Sequence, residues 1–168
     1  MFGSNRFCRY GGYRKSSAPR RWVVRPPTDA DRRAWEHLFA GYCDFYERPS
    51  TPAGRERVWE WIESGTIRCL LAVPAGAADG DAIGMAHLRP CPSPLRGAVT
   101  GYLDDLFVTP SARGSGAFEA LVEAIRGLAG EEGWKTIRWI TAADNARARA
   151  AYERVAERTG WITYQLDI

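Results

Sequence analysis

The stretch Tyr102-Leu103-Asp104-Asp105-Leu106-Phe107-Val108, continued by Thr109-Pro110-Ser111-Ala112-Arg113-Gly114-Ser115-Gly116, decides the fold. Its first seven residues are apolar apart from two adjacent carboxylates, and they read as the centre of a strand from Val99 to Val108. Pro110 to Gly116 is a turn. Phe118, Leu121, Val122 and Ile125 then recur at helical spacing, which predicts a helix from about Gly116 to Gly130. A strand over Thr136 to Thr141 completes a right-handed βαβ unit. Glycines in such a turn let the backbone approach a ligand, and the first helical N–H groups point at it. A phosphate or pyrophosphate suits that position, with Arg113 adding positive charge. The turn is neither a Walker loop nor a full dinucleotide fingerprint. Taken alone, it reads equally well as a plain connection between strand and helix.

Two features give the turn more weight. Carboxylates inside an apolar strand are costly unless they meet partners or water. Simple alternation sends Asp104 and Asp105 to opposite faces, so one serves a cleft and the other pairs with an arginine. Downstream, Asn145, Ala148 and Tyr152 share one face of an Ala/Arg-rich helix expected over Asn145 to Arg158. A tyrosine at this spacing is ordinarily an amphipathic residue with its hydroxyl at the rim. The alternative is a proton donor at the edge of a cleft.

Upstream, Arg21 to Arg25 reads as a short strand stopped by Pro26 and Pro27. Thr28 and Asp31 form a capping-box signal for a helix whose apolar stripe is Trp35, Leu38, Phe39, Tyr42 and Phe45. A second helix covers Pro52 to Ser64, with Val58, Trp59 and Ile62 inward. Strands follow at Ile67 to Val73 and Ala82 to Leu88, then a Pro-rich loop over Arg89 to Gly97. A last strand is expected over Trp161 to Ile168. Strands interleaved with helices indicate an α/β or α+β layer fold around a mixed sheet.

With 168 residues, 45% of them hydrophobic and 26% charged, the chain has the composition of a folded domain. No run is long and apolar enough to span a membrane, and the basic start lacks the apolar block of a secretory signal. The net charge of +3 conceals an asymmetry: Met1 to Arg25 holds seven basic residues and no acid, leaving the remainder at −4. Residues 1–20 thus read as a basic, disordered tail preceding one domain over 21–168. A solvated leader is the favoured reading of the tail; Arg9, Tyr10, Tyr13 and Arg14 argue only weakly for nucleic-acid contact. Cys8, Cys43, Cys69 and Cys91 show neither a C-x-x-C pair nor zinc spacing with histidine, which points to a reduced, cytoplasmic and metal-free protein.

Taken with N-A-R-A-R-A-A-Y (Asn145–Tyr152) and the ending Y-E-R-V-A-E-R-T-G-W-I-T-Y-Q, the opening stretch resembles the Gcn5-related N-acetyltransferases. The first-helix segment A-G-Y-C-D-F-Y-E adds a likeness to the subgroup of yeast histone and polyamine acetyltransferase-like enzymes and their small bacterial relatives. The likeness runs from about Arg21 to Ile168 and is strongest in roughly the last seventy residues.

The resemblance implies a mixed, mostly antiparallel sheet with helices on both faces and a βαβ unit that binds acetyl-CoA. It implies a bulge in the central strand that splays it from the next one. Leu106, Phe107 and Val108 would then hold pantetheine through their backbone groups, and Arg113, Gly114, Ser115, Gly116 and Ala117 would wrap the pyrophosphate. Asn145 matches the cofactor-contacting asparagine, and Tyr152 the general acid that protonates the departing thiolate. Asp105, and after it Asp104, are the candidates for taking the acceptor's proton. Tyr42, Phe45, Tyr46 and Glu47 would line the acceptor side, with His87 facing the same pocket. Two positions depart from the family loop: Ser111 stands where a long polar residue is usual, and Phe118 where a small one is. The spacing of Phe118 predicts that it turns into the core.

The resulting expectation is an N-acetyltransferase acting on a primary amine of a small molecule (a polyamine, an amino acid or a related metabolite) by direct transfer in a ternary complex. The alternative is a non-catalytic or weakly catalytic acyl-CoA-binding module on the same fold. A third reading, a nucleic-acid-associated protein, rests on the tail alone. The apolar terminal strand adds the expectation of a homodimer.

Overall fold

The computed structural model describes residues 21–168. The basic leader, together with what its residues suggested about nucleic acid, lies outside them. Five strands form one sheet in the order β1-β2-β3-β4-β5: β1 (Trp22–Arg25), β2 (Arg68–Pro74), β3 (Gly84–Ser93), β4 (Ala98–Val108) and β5 (Ile137–Arg138). The first four are mutually antiparallel, and β5 joins β4 in parallel. The helices are α1 (Arg32–Phe45), α2 (Pro52–Glu63), α3 (Ala117–Glu131) and α4 (Ala146–Tyr152). This is the mixed, mostly antiparallel α/β architecture the sequence implied.

Helices cover both faces of the sheet because its central strands are apolar on both sides. On one face Trp35 and Leu38 of α1 and Trp59 of α2 pack on Leu71, Val73, Met85 and Phe107. On the other, Leu121, Ile125 and Ala129 of α3 meet Leu70, Ala72, Leu88, Leu103 and Val108. The capping-box residue Asp31 is fully buried and accepts bonds from Thr28, from the Gly80 amide and from Arg25, whose guanidinium lies 2.6 Å away. These bonds, led by the one from Arg25, hold its carboxyl well below the usual carboxylate range.

Four expectations fail for identifiable reasons. The Pro-rich segment after Leu88 continues β3 to Ser93, because β2 pairs only as far as Leu88 and leaves Pro90 and Pro92 on a free edge that needs no N–H donor. The strand expected over Thr136 to Thr141 shrinks to two residues, since β4 turns away from it. The helix expected to Arg158 ends at Tyr152, with turn-type bonds continuing to Ala156. The segment Trp161 to Ile168 forms no strand in the chain by itself, and Trp161, Ile162, Tyr164, Leu166 and Ile168 are exposed.

Candidate active site

The two carboxylates of β4 mark the point where its ladder slips. His87 pairs with Asp105 while Leu88 pairs with Leu103, so Asp104 is an extra, bulged residue. The slip corrects the expectation that alternation separates the two acids. Asp105 Oδ2 lies 2.8 Å from His87 Nδ1, and Asp104 lies 3.1 Å from Arg89 Nε. His87 and Arg89 are two residues apart on β3 and share a face, so both carboxylates project on the α1 side. Asp104 is the acid paired with an arginine. Burial pushes its carboxyl up, with Arg89 pulling against that shift.

The same slip opens the sheet. β5 pairs with β4 only at Gly101 and Tyr102, so from Leu103 to Val108 the outer edge of β4 has no strand partner among the described residues. Main-chain groups of alternate residues point to the same edge. Thr109 N–H bonds Ile83 on the β3 side, so Phe107 also faces β3 and spends its backbone in the ladder. Leu106 and Val108 therefore present theirs to the open edge, and the Val108 carbonyl accepts from Arg113 Nε at 3.3 Å. Of the three residues expected to hold a ligand along this edge, two offer main-chain groups and Phe107 offers its ring to the core.

Beyond β4 the turn takes the form an anion site needs. Gly114 and Gly116 have φ of +76° and +90°, a region that side chains beyond glycine rarely enter, and they aim the chain into α3. The N–H groups of Ala117, Phe118 and Glu119 at the start of α3 find no acceptor among the described residues. The loop is pinned from below: Trp22 Nε1 of β1 donates to the Ser115 carbonyl at 3.0 Å.

Tyr152 closes the crevice from α4. Its ring packs on Trp139, with centroids 5.4 Å apart, and on Phe118 at 6.0 Å. A cavity of about 460 Å³ lies between α3, α4 and the open edge, lined by Leu106, Phe118, Val122, Trp139 and Tyr152 among others. Phe118 thus stands in the wall of this cavity, half-buried, and the core-facing positions of α3 are Ala117, Leu121, Ile125 and Ala129. This corrects the expectation for Phe118: its stripe lies on the flank toward α4. Burial, with Tyr46 adding to it, pushes the Tyr152 hydroxyl up to about 12.

On the α1 side, Tyr42, Phe45 and Tyr46 form an edge-to-face aromatic run. The Tyr42 hydroxyl is raised by burial and then by Asp105, and Tyr152 also contributes, which places phenols and carboxylate around one opening. Phe45, Tyr46 and Glu47 line a second cavity of about 550 Å³ together with Asn145. Asn145 caps α4, its Oδ1 accepting from Ala148 N–H at 3.2 Å, so the structure groups it with the aromatic run. His87 does not face the acceptor side directly: it is 1% exposed, and both ring nitrogens are bonded inside the protein. Its other partner, Trp35, is brought by the packing of α1 on the sheet and the Asp104 partner Arg89 by the β3–β4 register, so neither pairing shows in the sequence.

Against known proteins, the family model described as Acetyltransferase (GNAT) family matches residues 34–156. The D-amino-acid N-acetyltransferase HPA3 of Saccharomyces cerevisiae is 29% identical over 145 residues, 86% of this chain and 90% of its own length. The uncharacterized N-acetyltransferase YhfO of Bacillus subtilis is 32% identical over 148 residues, 86% of this chain and 97% of its own. The crystal structure of a ribosomal-protein-alanine N-acetyltransferase from Brucella melitensis shares the fold, with a TM-score of 0.73 at 22% identity over 88% of this chain and 99% of that one.

Proposed function

We propose that this chain, which belongs to the acetyltransferase (GNAT) family, transfers an acetyl group from acetyl-CoA to the primary amine of a small molecule. The observation that carries the reading is the splay of β5 from β4, which leaves the main-chain groups of Leu106 and the Val108 N–H without a strand partner beside a turn whose first helical amides lack acceptors among the described residues. These residues fit acetyl-CoA: the β4 edge can pair with the amides of its pantetheine arm, and Arg113 through Ala117 can hold its pyrophosphate. When bound, it supplies an activated thioester carbonyl and a thiolate leaving group.

The chain's own groups supply the rest. Asp105 takes the proton from the acceptor nitrogen, while Asp104 beside it is held by Arg89. Tyr42, Phe45, Tyr46 and Glu47 give that amine an aromatic and acidic approach. The Leu106 N–H donates at the open edge, where negative charge develops on the carbonyl oxygen. Tyr152 donates its hydroxyl proton toward the leaving sulfur; at about 12 the phenol stays protonated across the neutral range. Both reactants occupy the crevice together, so transfer is direct. Acceptors of this chemistry include D-amino acids, which the name of the yeast relative specifies for that protein, and polyamines. The three described cysteines carry free thiols, in keeping with a reducing cytoplasm.

We also assign the exposed apolar segment Ile162, Tyr164, Leu166 and Ile168 to contact with a second copy of the chain, as a homodimer. The test of function is thiol release from acetyl-CoA across a panel of amines. Amine-dependent release that Asp105→Asn and Tyr152→Phe abolish supports the enzyme. Tight acetyl-CoA binding with no release on any amine supports the non-catalytic module instead, for which the bulky Phe118 in the cavity wall is the favouring observation.

A further inference from the structure

Buried at the core of the α1 face is a polar chain that ends at the crevice. Trp35 Nε1 donates to His87 Nε2 at 2.8 Å, and His87 Nδ1 lies 2.8 Å from Asp105 Oδ2. An indole nitrogen can only donate, so Nε2 must accept and the ring's proton sits on Nδ1. Nδ1–H therefore donates to the Asp105 carboxylate. A second proton at Nε2 would set two donors against each other.

Exposure rises along this chain, from 0% at Trp35 to 1% at His87 and 21% at the Asp105 side chain. His87 packs against the rings of both Trp35 and Phe39, which are stacked on each other, with centroids 6.0 Å and 5.7 Å away. An imidazole there is costly unless both nitrogens are bonded, and the bonds lead to one place. The groups facing Asp105 are Tyr42 and Cys43 from α1, Cys69 from β2, His87 from β3 and Asp104 beside it. None of them is a lysine or arginine, and Arg89 is turned to Asp104.

We infer that Trp35 and His87 are positioning residues for Asp105: the indole locks the imidazole tautomer, and the resulting Nδ1–H holds Oδ2 so that Oδ1 meets the acceptor amine. The inference rests on Asp105 acting on the acceptor, as proposed above, but its first test does not. In the full chain labelled with 15N-histidine, His87 should show a protonated Nδ1 and an unprotonated Nε2 at neutral pH. Trp35→Phe, which keeps an aromatic ring in the stack and removes only the donor, should give a mixture of tautomers. A protonated Nε2 in the parent, or no change in Trp35→Phe, overturns the lock whether or not the chain is an enzyme.

The second test is kinetic. His87→Leu should lower kcat/KM for the amine by about tenfold to a hundredfold, the scale of a lost hydrogen bond to a charged group. The KM for acetyl-CoA should stay put. His87→Asn, which can place an N–H near the Nδ1 position, should restore most of the rate. Equal loss in both variants, or a matching rise in the KM for acetyl-CoA, would mean that His87 only fills the core, and would sink the proposal.

Discussion

Gly101 is where the splay of the sheet can be tested without touching any reacting group. A Cβ built at this position would lie 2.4 Å from Trp134 Cε3, 2.9 Å from Cζ3 and 3.1 Å from Ile137 Cγ1. Carbon atoms sit comfortably at about 3.5–4.0 Å, so the indole would have to retreat by about an ångström. Trp134 is 5% exposed and its N–H bonds Ala129 O at the end of α3, which leaves it little room. Overpacking of a filled site costs about 1–3 kcal/mol. For a domain of this size that corresponds to a fall in Tm of roughly 2–12 °C for Gly101→Ala. Gly101 N–H also bonds Thr136 O, and Gly101 and Tyr102 are the whole of the β4–β5 pairing. A displaced indole should therefore loosen β5 and weaken acetyl-CoA binding along with stability. Thermal denaturation and titration calorimetry read the two effects. If Gly101→Ala melts with the parent and binds acetyl-CoA equally well, the close packing that sets the angle of the crevice is wrong.

Other substitutions probe the remaining parts. Tyr152→Phe keeps the ring against Trp139 and Phe118 and removes only the hydroxyl, so kcat should fall by about 10²–10⁴ while acetyl-CoA affinity and Tm hold; an unchanged kcat removes Tyr152 from the mechanism. Asp31→Asn breaks a buried ion pair and should cost about 3 kcal/mol at pH 7, read by urea unfolding. Because the folded Asp31 pKa is depressed, its contribution is present above the unfolded value of about 3.9 and is lost as pH falls toward the folded one. The parent should thus lose stability below about pH 4 more steeply than Asp31→Asn, and parallel curves would refute the assignment. Sedimentation should give a dimer that Ile162→Asp with Leu166→Asp converts to monomer; a parent that is monomeric at every concentration refutes the proposed contact.

What could be read from the residues follows from how local the cause is. The order β4, glycine turn, α3 was legible because apolar spacing and two positive-φ glycines act within a few residues of themselves. The capping box at Thr28 and Asp31 was legible for the same reason. The bulge at Asp104 was not, since a slipped ladder depends on the partner strand, and alternation alone put the two acids on opposite faces. The prolines at 90 and 92 read as a loop because only the sheet order shows that their side of β3 is a free edge. His87 was read as a pocket residue, for nothing near it in sequence announces that Trp35, 52 positions earlier, would take up its second nitrogen. The segment from Trp161 alternates like a strand, yet β5 is too short to offer it a ladder in the same chain.

The bond from Trp22 to the Ser115 carbonyl spans the sheet from its first strand to the anion turn. Trp22 begins β1, two residues after the stretch carrying most of the basic leader. The turn before α3 is thereby moored to the far edge of the sheet, so any displacement of β1 is felt at Ser115.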